Sequence, residues 1–198
     1  LGFLGAALVL LVVFIIIQSV SRIAMMPGHV VRNRTRAGAN VAFMLVGAGM
    51  FGTYYFLTLY MQGVKHYSAM QTGLAYLPFV FGMAFSAAAL GPKLLTRLSP
   101  RGVIVLGLLI GTGGMAWFAA LSPTSSYLTM LALPMLISGL GLGMAFVSVM
   151  MSGVFGVAPQ ETGIASGLIN TSQQIGGAIG LATLATVAAS VTSGLLSS

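Results

Sequence analysis

Cysteine is missing from this chain of 198 residues, and acid is almost missing: Glu161 is the only Asp or Glu, against eight Lys and Arg. Without Cys there is no disulfide framework, no thiolate metal site and no thiol nucleophile. Charge of either sign is scarce, at 5% of residues, where a soluble domain carries about 25%. Hydrophobic residues make up 58%, and the mean hydropathy is +1.04. No water-soluble core could hide that much apolar surface. The formal net charge of +7 does not point to nucleic acid, because that footprint needs basic residues gathered on one folded face with stacking aromatics. Here they fall in short gaps between long uncharged runs.

Between Arg36 and Lys65, between Lys65 and Lys93, and between Arg101 and Glu161, no Asp, Glu, Lys or Arg occurs. A helix of about 20 apolar residues crosses a hydrocarbon core about 30 Å thick, so each stretch is long enough to span. The apolar runs predict six transmembrane helices at 2–20, 38–62, 69–92, 102–121, 127–156 and 160–190. The fold class expected is therefore all-α, a polytopic membrane protein with the lipid bilayer as its solvent.

The gap 21–37 carries Arg22, Arg32, Arg34 and Arg36, and the gap 92–101 carries Lys93, Arg97 and Arg101. The opposite side has Lys65 and, in Ser122 to Ser126, no charge. Cytoplasmic loops hold the Lys and Arg excess, which puts the Arg-rich gaps inside the cell and both chain ends, including 191–198, outside. Leu1 opens directly into an apolar run without the basic region of a secretory signal. The expectation is an incomplete chain.

Local punctuation agrees with these spans. Ser68 to Gln71 has the form of a capping box, and Ser99-Pro100 puts Pro at a first helical position, as Pro159 does for the last span. Pro78 and Pro134 fall inside spans and should kink them. Small residues recur four apart: Ala48 with Gly52, Gly82 with Ser86, Gly107 with Gly111, Gly163 with Gly167, and Gly176 with Gly180. Helices in lipid gain packing contact where such pairs let backbones approach.

Four stretches carry a resemblance: 33–35 (NRT), 56–62 (FLTLYMQ), 67–78 (YSAMQTGLAYLP) and 163–177 (GIASGLINTSQQIGG). In that order the chain resembles the C-terminal portion of the fourteen-helix drug:proton antiporter branch of the major facilitator superfamily, the run 163–177 being the most specific. The resemblance implies that 1–20 is an inter-half linker helix, 21–37 a cytoplasmic loop, and 38–190 five helices of the C-terminal half. It further implies multidrug-type efflux of an amphipathic small molecule across a bacterial plasma membrane. Protons would be coupled through the missing N-terminal half, and no cofactor or metal is implied. Two acids common in that family are absent here: Gly91 to Arg97 contains no Asp, and Gln18 to Arg22 no acid.

Within the chain, Glu161 reads as a charge stabilised at a helix N-terminus, and His29 and His66 as loop residues. Polar side chains inside spans normally face a cavity or the bundle interior. Asn170, Gln173 and Gln174, with Ser166 one turn earlier, form one polar stripe at helical spacing. Cavity lining and interhelical hydrogen bonding both fit that stripe. Tyr54, Tyr55 and Thr58 lie deep in the second span, with Tyr76 one turn into the third, and offer rings and hydroxyls to a bulky substrate. Tyr60 and Trp117 read as interface-belt residues, and Gln71 as a cap. The competing classes are a channel or scaffold and, less well supported, an intramembrane enzyme, which needs a nucleophile with its base or a metal cluster. No His or Cys lies in any predicted span.

Overall fold

Proline decides where this chain interrupts its helices. The computed structural model describes residues 34–154 and 162–196, together with nine residues between 2 and 17. Most of the loop 21–37, with His29, and both Pro159 and Glu161 lie outside the described residues, as does more than half of the run 2–20. The residues described in that run are helical, and Leu10 and Ile17 are exposed.

Helix α1, Arg34–Leu59, ends in a wide π-helical turn, Tyr60–Val64. α2 is Ala69–Ala75 and α3 is Leu77–Phe85, followed by a second π-helical turn, Ser86–Leu90, and by α4, Gly91–Leu95. α5, Pro100–Trp117, closes in a 3-10 turn, Phe118–Ala120. A third π-helical turn, Leu128–Ala132, leads into α6, Leu133–Val154, and α7 is Thr162–Leu196. Joined end to end they make five helices long and apolar enough to cross a membrane: Ala37–Val64, Ala69–Leu95, Pro100–Ala120, Leu128–Ser152 and Thr162–Gly194. The bounds differ from the sequence expectation by a few residues, and α1 begins at Arg34, ahead of its apolar run. Long Arg side chains let a terminal helical turn carry charge at a membrane surface.

Two of the π-helical turns stand immediately before a proline. Pro has no N–H and its ring collides with the carbonyl four residues back, so the preceding turn widens to an i+5 bond. The Gly91 amide donates to the Ser86 carbonyl just before Pro92, and the Leu133 amide to the Leu128 carbonyl just before Pro134. At Pro78 the helix is interrupted for one residue: α2 stops at Ala75, Tyr76 forms a turn that stays right-handed (φ −81°, ψ −9°), and α3 restarts with Pro78 in its first turn. The expected capping box is present, with the Gln71 amide on Ser68 Oγ (3.3 Å) and the Ser68 amide on Gln71 Oε1 (2.9 Å). Ser99 likewise caps α5 by accepting from the Gly102 amide (3.3 Å).

α6 is the axle of the bundle. Its glycines alternate between two neighbours: Gly139 and Gly143 lie against Phe79, Met83 and Ser86, while Gly141 lies against Gly107 and Gly111 of α5. A Cβ on Gly82 would stand 2.6 Å from the Leu136 carbonyl oxygen, and one on Gly107 2.6 Å from that of Gly141. Gly176 and Gly180 of α7 receive Met44 and Ala48 of α1 in the same way. Gly163 and Gly167 differ, with nothing within 4 Å among the described residues.

Two buried clusters result. One, near the Lys65 end, joins Leu57, Met61, Phe79, Leu131 and Met135. The other, near the Arg end, joins Ala39, Phe43, Val149 and Ile169, with Phe43 edge-on to Phe146 at 5.2 Å. At the Lys65 end the loops are tied together. Lys65 Nζ donates to the carbonyls of Pro123 (2.8 Å) and Ser125 (2.6 Å), and the Tyr60 hydroxyl donates to that of Ser122 (2.6 Å). Tyr60 is thus anchored to a neighbouring loop as well as placed at a span end. His66 takes a positive φ of 55° next to the Tyr67 amide, which donates back to the Met61 carbonyl (2.9 Å). This resembles the usual glycine-based helix closure, widened by one residue.

Candidate substrate cavity

Tyr54 sits slightly on the Lys65 side of the middle of the span Ala37–Val64, with Thr58 one turn further on. At helical spacing both face the start of α3, where the break before Pro78 turns Tyr76 toward them. The Tyr76 hydroxyl donates to the Tyr54 carbonyl (2.8 Å) and lies 3.0 Å from Thr58 Oγ1. Its single proton serves the carbonyl, which can only accept, so Thr58 is the donor in the second bond. The rings of Tyr54 and Tyr76 are 5.0 Å apart and tilted by 59°, and Phe79 stands edge-on to Tyr54 at 5.2 Å. Edge and tilted contacts of this kind suit the ring quadrupole.

These rings close on a gap of only about 10 Å³, completed by Met50, Leu57, Met115, Phe118 and Met135. Beside it, Gly52, Phe56, Tyr60, Leu121 and Leu184 bound a more open space of about 320 Å³. Among the described residues, no side chain with a formal charge lines either. The lining is aromatic and thioether, and unbranched Met fits itself to irregular partners. The arrangement offers stacking surface and a few hydroxyls to a neutral or weakly polar molecule.

Of the eight side chains singled out from the sequence, the structure brings three together: Tyr54, Thr58 and Tyr76. Tyr55 is exposed on another face, against Phe56 at 5.4 Å. The α7 stripe is also separate, since none of its members lines either space. Ser166 is half-buried, Asn170 and Gln174 are exposed, and the Gln173 main chain lies against Gly47 of α1. Asn170 Nδ2 donates to the Ser166 carbonyl (3.2 Å), and Thr171, Thr183, Thr186 and Thr192 donate likewise to carbonyls four residues back. Such back-bonding satisfies polar groups within their own helix. Met50, Phe79, Met115, Phe118 and Met135 escaped the sequence reading. Met50 precedes Tyr54 by one turn and Phe79 follows Pro78, but nothing in the sequence joins them to Met115 or Met135.

The chain is thus a multi-pass all-helical membrane protein with an uncharged aromatic cavity. Residues 1–181 match the model of the Major Facilitator Superfamily, and the chain belongs to that family. It is 37% identical over 189 residues to a puromycin resistance protein of Streptomyces alboniger, covering 94% of this chain and 38% of that one. It is 39% identical over 155 residues to a cephamycin export protein of Amycolatopsis lactamdurans, 78% of this chain and 32% of that one. A tetracenomycin C resistance and export protein of Streptomyces glaucescens is 28% identical over 190 residues, 96% of this chain and 35% of that one. The chain spans less than two fifths of the length of these relatives. Its family and its bacterial relatives identify it as a multi-pass protein of the bacterial plasma membrane.

Proposed function

We propose that this chain is part of a secondary transporter that exports hydrophobic or amphipathic small molecules. The observation that carries this reading is the likeness to export and resistance proteins over nearly the whole chain. The open uncharged space of about 320 Å³ bounded by Phe56, Tyr60, Met115 and Phe118 supports it, because rings and an adaptable methionine hold a bulky apolar compound without fixing one shape. In this reading 1–20 is a linker helix, 21–37 a cytoplasmic loop, 38–190 five helices of the C-terminal half, and 191–198 extracytoplasmic. Alternating access comes from rocking this half against an N-terminal half, which supplies the proton-coupling carboxylates. The protein moves its substrate unchanged and is not an enzyme.

Thr53, Phe56 and Tyr60, which line the open space, offer the substrate its contacts, and Tyr54 borders the gap behind them. The α7 stripe, with Ser166, Asn170 and Gln174 outside the α1 contact, faces the other half across the pathway. Export of puromycin from cells carrying the full-length protein tests this. Tyr54→Ala should raise the half-saturating concentration about tenfold while the protein still reaches the membrane, the loss of one well-packed ring. Asn170→Ala should lower export several-fold. Unchanged export in both variants would remove these residues from the pathway.

A further inference from the structure

Three cations at the Arg end of the bundle have no counter-charge built beside them. Lys93, Arg97 and Arg101 are exposed, and none of their side chains has a hydrogen-bond or ion-pair partner among the described residues. Glu161 is the one acid of the chain against eight bases, so this surface stays cationic wherever that acid lies. Lys65 differs, since its protons go to the carbonyls of Pro123 and Ser125.

Backbone contacts fix where the three cations stand. The Arg97 and Leu98 amides both close on the Leu94 carbonyl (3.0 and 2.8 Å), and Thr96 Oγ1 donates to the Lys93 carbonyl (2.8 Å). Ser99 then opens α5 by accepting from the Gly102 amide. That cap serves the helix start, and the guanidinium groups are what the turn presents outward.

Below them α5 has two unlike faces. Gly107, Gly111 and Gly114 are buried against Gly141, Leu142 and Ser138 of α6. On the opposite face Arg101, Val105 and Leu109 follow one another at four-residue spacing, with Val105 57% and Leu109 67% exposed, and Leu98 in the turn 44% exposed. The stripe reaches about 12 Å below Arg101, which stays within one leaflet of a hydrocarbon core about 30 Å thick. A cationic head above a bare apolar stripe has the outline of a phospholipid.

We propose that Lys93, Arg97 and Arg101 bind the headgroup of an anionic phospholipid whose acyl chain lies along Val105 and Leu109. The planar forks of Arg97 and Arg101 suit phosphate oxygens, and Lys93 adds a point charge. A zwitterionic headgroup brings its own ammonium and gains less from three cations. The surface does not depend on what the protein transports.

The full-length protein in phosphatidylcholine nanodiscs, doped with a phosphatidylglycerol that carries a diazirine on one acyl chain, tests this. Photolysis and peptide mass spectrometry should place adducts on Leu98, Val105 and Leu109. Unlabelled phosphatidylglycerol should displace the probe, whereas phosphatidylcholine and inorganic phosphate should not. Arg97→Gln and Arg101→Gln should each lower the adduct yield about fivefold, the worth of one cation at a membrane surface. Arg97→Lys and Arg101→Lys keep the charge and should hold the yield within about twofold. A yield unchanged in both Gln variants, or matched by a diazirine-bearing phosphatidylcholine, makes the stripe ordinary lipid contact and overturns the proposal. Displacement by inorganic phosphate overturns it in favour of a free anion. Equal losses in the Lys and Gln variants trace the effect to a disturbed turn and overturn it as well.

Discussion

Glycine 141 carries more of the packing than any side chain of its size suggests. A Cβ there would stand 2.5 Å from the Gly107 carbonyl oxygen and would press on the Gly111 backbone amide nitrogen. Backbone cannot move aside as a flexible side chain can, so Gly141→Val should destabilise the bundle by about 1–3 kcal/mol, the range of core overpacking. The thermal midpoint in detergent checks this, with Gly163→Val as the contrast. Among the described residues nothing stands within 4 Å of a Cβ at Gly163, and its substitution should leave the midpoint unchanged. The two glycines look alike in sequence, each four residues from another small residue. What separates them is which helix comes to lie alongside.

The elements at the Lys65 end show how a single charge can organise a surface of loops. Lys65 spans from the end of α1 to the turn between α5 and α6 and gives its protons to two backbone carbonyls. Inside that turn the Ser125 amide donates to the Ser122 carbonyl (3.0 Å) and the Ser122 amide to Ser125 Oγ (2.9 Å). Lys65→Met removes the tie while keeping the apolar stem. Backbone amides of residues 122–126 should then exchange with deuterium about tenfold faster, matching the loss of a charged hydrogen bond. Exchange unchanged from the parent would show that the turn holds its shape alone. The caps at Ser68 and Ser99 were legible in sequence because capping is a contact between residues three apart. The Lys65 tie was not, because its partners are 58 and 60 residues away and are backbone atoms, which no residue type announces.

At the scale of the whole molecule, the same run of charges that marks the span boundaries also predicts which way the protein sits. The span pattern of the sequence puts seven of the eight Lys and Arg on one side, and on that expectation a membrane-impermeant thiol reagent applied to intact cells should label Lys65→Cys and spare Arg97→Cys and Arg34→Cys. The absence of native Cys from this chain makes that labelling simple to read. Labelling of Arg34→Cys from outside would invert the bundle and, with it, the direction assigned to export.

For the five described spans, their ends to within a few residues, the caps at Ser68 and Ser99 and the places where proline interrupts them were set by the sequence alone. Each rests on hydrophobic run length or on contacts within one helical turn. Tertiary structure decided which small residues pack, that Tyr76 is fastened to Tyr54 and Thr58 while Tyr55 faces away, and that methionines from three spans close the cavity. It also left the α7 stripe outside that cavity. The physical reason is that lipid is as apolar as the side chains it bathes, so hydrophobicity says that a helix spans but not which face meets a neighbour. That choice falls to backbone approach at glycine and to a few tyrosine and lysine hydrogen bonds, which exist only once the helices are side by side.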